Sequence, residues 1–125
     1  MPRKKNPTLN ESELRLMEVV WNLGAATVSE VVAALPDDYQ PAYNTVLTTL
    51  RILEQKEYLH HIKEGRAHIY KPTVSRDQAR QQVVRHMVQS FFDDSPELLL
   101  LSVLENEEVS PAELERLKRM TDAKL

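Results

Sequence analysis

The chain has no cysteine and only two glycines, Gly24 and Gly65. The first absence excludes disulfides, thiolate nucleophiles and cysteine-based metal sites. The second excludes the glycine-rich loops that cradle nucleotide phosphates, which need several glycines close together. Long apolar runs are missing as well. The densest block of large apolar side chains is Leu98 to Leu101, far short of the roughly 20 residues a transmembrane helix needs. Arg3, Lys4 and Lys5 stand near the amino terminus with no apolar stretch behind them, so no secretory signal is expected. A cytoplasmic location is the resulting expectation. No Ser-His-Asp constellation or carboxylate pair stands out, and an enzyme is not expected.

What remains is a chain of 125 residues, 42% hydrophobic and 28% charged, which suits a globular protein. It can form one domain with a modest core, or a small domain plus an oligomerisation segment. The net charge of −3 is unevenly spread. Residues 1–73 carry nine basic and nine acidic side chains, so the excess acidity lies beyond them. A phosphate responds to clustered charge rather than to the total. Composition permits DNA binding without requiring it.

Local signals divide the first part into three helices and a hairpin. Residues 1–8 read as a basic arm. Asn10 can cap a first helix, with Glu13 three residues on completing a capping box. Leu14, Met17, Val20 and Trp21 mark its expected buried stripe, and Gly24 is placed to end it. Thr27 with Glu30 opens a short helix that Pro36 stops. Pro41 suits the first turn of a third helix, over about residues 41–55. Tyr58 to Ile62 and Ala67 to Tyr70 alternate as two strands around Lys63-Glu64-Gly65-Arg66, giving a wing over about residues 58–71.

The third helix has two unlike faces. Val46, Leu50 and Leu53 recur at helical spacing and can bury, while Asn44, Thr45, Thr48 and Arg51 fall on the other side. Short hydrogen-bonding groups with one arginine can enter a major groove and reach base edges and phosphates. An amphipathic helix whose threonines happen to face water would look similar. Threonine is a mediocre helix former, however, and helix, helix, helix, basic-tipped hairpin is the order of a winged helix-turn-helix. Lys63 and Arg66 at the tip fit phosphate contacts better than idle solvated turn residues. Thr27 and Ser29 begin a helix whose amides can hold a phosphate, although capping explains them equally well.

The histidines at 60, 61, 68 and 86 raise a metal reading. His60 and His61 are adjacent in a strand and must point to opposite faces, so only one can meet His68. Ring-on-strand packing and phosphate contact are the better readings of these side chains, and no metal and no cofactor are expected.

Beyond Pro72 the sequence reads as all helix. Ser75 with Gln78, Ser95-Pro96 and Ser110-Pro111 open three helices. They carry Val84, Met87, Phe91, Phe92, Leu98, Leu100, Leu101, Leu104, Leu114 and Leu117. Three short helices can hide little of that surface within one chain, so a second copy is expected to cover it. The expected division is a winged helix-turn-helix domain over 1–73 and a three-helix dimerisation region over 74–125. The fold class is mainly α with a small β-hairpin.

Several strings together resemble the penicillinase repressors, bacterial winged-helix regulators of β-lactamase and methicillin-resistance genes. They are Leu14 to Trp21, Ala26 to Val31, Ala42 to Leu50, Gly65 to Tyr70, Val74 to Arg76 and Ser110 to Leu114. The likeness spans roughly residues 8–120. It implies a homodimer that binds a palindromic operator and blocks transcription. It places Asn44, Thr45 and Thr48 in the major groove, with Arg51 near the backbone, and it puts Lys63 and Arg66 on adjacent phosphates. Tyr43 and Thr27 complete the expected DNA-contacting set. In well-known members a membrane sensor-protease system triggers cleavage in the penultimate helix, and the dimer falls apart. The matching position here is Ser102-Val103, where those members carry an Asn-Phe pair. Glu57 stands where a glycine is common, and the cysteine pairs of copper-responsive relatives are absent. A reading from a different class is a winged-helix protein-interaction module without DNA, since fold alone does not settle function.

Overall fold

The computed structural model describes residues 8–124. The basic arm, with Arg3, Lys4 and Lys5, lies outside the described residues. Two compact units divide the chain between Val83 and Val84. In the first, α1 (Glu11–Leu23), α2 (Val28–Ala34) and α3 (Tyr43–Gln55) precede a hairpin of β1 (Leu59–Glu64) and β2 (Ala67–Pro72). The long helix α4 (Arg76–Phe91) begins in that unit and runs into the second, which also holds α5 (Pro96–Asn106) and α6 (Pro111–Lys124). The first unit thus continues ten residues past the boundary expected at residue 73. Val74 and Ala79 explain the extension, because both are buried in its core.

Short-range chemistry sets the helix ends. Asn10 Oδ1 accepts from the Glu13 amide at 2.8 Å, and the Glu13 carboxylate accepts from the Asn10 amide at 2.8 Å. Thr27 and Glu30 repeat the exchange at α2. Ser75 and Gln78 do the same before α4. Each pair satisfies two amides that a helix start otherwise leaves open. Gly24, at φ +82°, ends α1 in a conformation that suits glycine. The third helix starts later than the proline suggested. Ala42 is its N-cap, extended at ψ 154°, so Pro41 precedes the helix instead of opening its first turn.

One core holds this unit together. Leu16, Met17 and Val20 of α1 meet Val31 of α2, Val46, Leu50 and Leu53 of α3, and Tyr58, Leu59 and Tyr70. The expected stripe of α1 needs one correction: Leu14 is 43% exposed. The inward row runs through Glu13, Leu16, Met17 and Val20, at spacings of three and four. A carboxylate occupies the position where an apolar residue would be sought. Glu13 is buried and its charge is met by Lys56 Nζ at 2.8 Å, from the end of α3. Trp21, half-buried, donates its Nε1 hydrogen to the Val74 carbonyl at 2.9 Å. Arg76 bridges Glu18 and Asn22 at 2.8 and 2.9 Å and so fixes the start of α4 against α1.

The hairpin is antiparallel, with Leu59 opposite Pro72, His61 opposite Tyr70 and Lys63 opposite His68. Gly65 turns the chain at φ +62°. A bridge outside the hairpin ties it to the helices: Ala26 and Tyr70 exchange backbone hydrogen bonds of 2.9 and 2.8 Å.

Glu57 links α3 to β1 at φ +67°, a left-handed conformation costly for a residue with a Cβ. The glycine that the resemblance places here would adopt it freely. Replacing Glu57 with glycine is expected to raise the unfolding free energy by about 0.5–1 kcal/mol, after the entropy cost of glycine is counted. Urea denaturation of the two proteins checks this; an unchanged or lowered midpoint would contradict it.

The second unit contrasts with the first. None of its described side chains, residues 84–122, is buried. Val84, Met87, Phe91, Leu98, Leu100, Leu101, Leu104, Leu114 and Leu117 are exposed, Phe91 to 75%, and Phe92 is half-buried. Ser95 and Ser110 cap α5 and α6 by accepting from the Leu98 and Glu113 amides. The helices are therefore locally well specified and collectively uncovered.

Candidate nucleic-acid interface

The buried row of α3 determines what its opposite side shows. With Val46, Leu50 and Leu53 fully buried, helical geometry turns Asn44, Thr45, Thr48 and Arg51 to solvent, and all four are exposed. The side chains of Asn44, Thr45 and Thr48 make no hydrogen bond with any described residue. Thr49 differs: its hydroxyl donates to the Thr45 carbonyl at 2.9 Å and is occupied within the helix. Three polar side chains on one exposed face are thus free to accept and donate outward.

Arg51 sits at the joint between α3 and the wing. It lies close enough to the Tyr70 phenol to influence its ionisation. Burial pushes that phenol above its ordinary range, the Glu54 charge adds to the rise, and Arg51 opposes it. Arg51 thus stands near the buried Tyr70 and beside the exposed polar face of α3.

At the wing, Lys63 and Arg66 are exposed, and neither pairs with a carboxylate among the described residues. Between the wing and the helices lies a groove of about 340 Å³, lined by Thr27, Ser29, Tyr43, Arg66, His68 and Tyr70 among others. Tyr43 is 49% exposed at its edge. The Thr27 hydroxyl accepts from the Glu30 amide at 3.2 Å, so capping already occupies one of its lone pairs. No acidic side chain lines the groove.

The histidines resolve into two faces, as strand alternation requires. His60 Nδ1 lies 2.7 Å from the Thr73 hydroxyl. His61 takes the other face, where its ring stacks on His68 with centroids 4.4 Å apart and planes 10° from parallel. Its Nδ1 contacts both Glu54 carboxylate oxygens, at 2.7 and 2.9 Å. Among the described residues no group of three or more His, Cys, Asp or Glu could hold a metal ion. Sequence reasoning missed the Glu54–His61–His68 cluster. Alternation showed that one of the adjacent histidines would meet His68, but not that Glu54 of α3 would reach it.

A helix pair leading into a third helix with an exposed polar face, followed by a two-stranded wing, defines a winged helix-turn-helix protein. The chain belongs to the penicillinase repressor family, whose pattern matches residues 9–123. It is 27% identical over 119 residues to the penicillinase repressor of Bacillus licheniformis, a match covering 95% of this chain and 93% of that protein. Among solved structures it is similar to the DNA-binding domain of the repressor BlaI, with 32% identity and a TM-score of 0.54. It is also similar to the monomeric form of Bacillus licheniformis BlaI in complex with the blaP half-operator, with 32% identity and a TM-score of 0.51. Each of these matches covers 61% of this chain and 93% of the other. No described helix is long and apolar enough to cross a membrane.

Proposed function

We propose that this protein is a homodimeric, DNA-binding transcriptional repressor that acts in the cytoplasm on a palindromic operator. The observation that carries this reading is the unbonded Asn44, Thr45 and Thr48 face, flanked by Arg51 on α3 and by the unpaired Lys63 and Arg66 of the wing. Side chains of that kind discriminate bases, and the cations neutralise phosphates. In this reading α3 enters the major groove, Tyr43 and Thr27 border the neighbouring backbone, and residues 74–125 pair two copies. The pairing would set two recognition helices about one turn of duplex apart, or a multiple of it. The uncovered apolar surface of α4, α5 and α6 supports the pairing.

Release of the operator by a membrane sensor-protease system belongs to the same proposal. Ser102 and Val103 lie inside α5, where the Ser102 carbonyl accepts from Asn106 Nδ2 at 2.8 Å. A protease acting there would have to open the helix first.

Two substitutions separate the roles. Thr48→Ala is expected to reduce preference for the operator over random duplex by about 1–3 kcal/mol. Arg66→Ala should weaken binding to both duplexes and lower the salt slope by about one. Polarisation titrations against the region upstream of its own gene, repeated at several salt concentrations, read both effects. If both variants bind like the wild type, the helix-and-wing assignment fails. If no duplex is bound at low salt, the protein-interaction reading takes its place.

A further inference from the structure

We propose that His68 contacts a DNA phosphate and takes up a proton from solvent when duplex binds, so that DNA binding strengthens as pH falls. The inference rests on the DNA-binding reading above and adds a proton to it. His68 is exposed and lines the groove with Thr27, Ser29, Tyr43, Arg66 and Tyr70, a set with hydroxyls and a guanidinium but no carboxylate. The charged and titratable groups around it come from both strands, the turn and α3, whereas the start of α2 lends only the hydroxyls of Thr27 and Ser29. On β1 are Lys63, directly opposite, and the stacked His61; on β2 is Tyr70, and in the turn is Arg66. From α3 come Tyr43, which shares the groove, and Arg51, which lies near Tyr70. Glu54, also of α3, engages His61 Nδ1 with both of its oxygens and lies near enough to Tyr70 to raise its phenol, but does not line the groove.

His61 therefore stands between the acid and His68. It contacts Glu54 on one side and lays its ring against His68 on the other. No carboxylate pairs with His68 among the described residues. A phosphate entering the groove would be the first anion in contact with that imidazole. Imidazole is the side chain that gains charge between pH 5 and 8, and an anion that binds the charged form must draw in the proton. Arg66 supplies a fixed charge in the same groove, whereas His68 supplies one that depends on pH.

The full-length chain, a labelled duplex from upstream of its own gene and a shuffled duplex of equal length provide the test. Between pH 7.5 and 6.0 the wild type should gain about three- to tenfold in affinity for both duplexes, because the contact is to the backbone. His68→Gln should flatten that gain to less than about twofold. His68→Lys carries its charge throughout, and should bind at pH 7.5 about as tightly as the wild type does at pH 6.0, a rescue that a packing role would not give. His60→Gln, altered on the other face, should keep the wild-type gain. The inference is overturned if His68→Gln retains the gain or if His60→Gln loses it equally. Failure of every protein to bind either duplex at any pH would overturn the DNA-binding reading and this inference together.

Discussion

Leu50→Ala is expected to lower the unfolding free energy of the winged unit by about 3–4 kcal/mol, by removing a fully buried side chain and leaving a cavity. Leu50 is wholly inaccessible, midway between Val46 and Leu53 in the row that seats α3 on α1 and α2. Domains of this kind are stable by only about 5–15 kcal/mol, so the loss is a large share of the total. The substitution also tests how one helix serves two purposes. Leu50 and Thr48 are two residues apart, yet one fastens α3 to the core and the other faces solvent. Leu50→Ala should therefore weaken DNA binding through partial unfolding, with a lowered thermal midpoint. Thr48→Ala should reduce discrimination while the unfolding free energy stays within about 0.5 kcal/mol of wild type, as exposed substitutions usually do. Urea unfolding followed by circular dichroism checks both. A Leu50→Ala loss below about 1 kcal/mol would mean that the site collapses around the gap, or that α3 is not the keystone of the core.

The legible features of the chain are those whose cause lies within about one helical turn. Asn10 with Glu13, Thr27 with Glu30 and Ser75 with Gln78 are such pairs, and each closes as its spacing implies. The two faces of α3 were equally readable, since periodicity alone separates Val46, Leu50 and Leu53 from Asn44, Thr45 and Thr48. Relations across long separations were not. Glu13 reads as a cap residue, which it is, but nothing nearby indicates that its carboxylate is buried against Lys56, 43 positions away. That omission also misplaced Leu14, because the charged residue was passed over when the inward row was sought. The Ala26–Tyr70 bridge and the contact of Glu54 with His61 have the same character. Both depend on where the wing docks, which hydropathy does not encode.

The candidate interface was legible in proportion to its locality too. Asn44, Thr45 and Thr48 follow from helix geometry, and Lys63 and Arg66 from their place beside Gly65. Arg51 was readable as outward-facing, but its nearness to Tyr70 was not. Strand packing or phosphate contact is legible in the histidines as a better reading than a metal, but which of them borders the groove depends on where the wing docks, and His68 is the one that lines it.

Two lysines placed in α5, Leu101→Lys with Leu104→Lys, should convert the protein to a monomer and weaken operator binding by about 100- to 10,000-fold. Leu101 is 51% and Leu104 49% exposed, three residues apart on one helix, in a unit where no described side chain is buried. If a second copy covers them, two-fold symmetry buries each substitution twice, and an ammonium taken from water without a partner is far costlier than the leucine it replaces. Loss of pairing then acts on DNA through concentration. A dimer with one subunit docked presents the other at an effective concentration in the millimolar range, which separate monomers at working concentrations cannot match. The change should appear in mass first. The wild type should run near twice the 14.4 kDa chain mass in light scattering, and the double variant near one chain mass. Thermal unfolding of the winged unit distinguishes the two causes of weak binding, since its core residues Leu16, Val46, Leu50 and Tyr70 are untouched by either lysine. A wild type that is already monomeric at micromolar concentration would leave the apolar surface of α4, α5 and α6 to another partner. A double variant that stays dimeric would move the interface away from this part of α5.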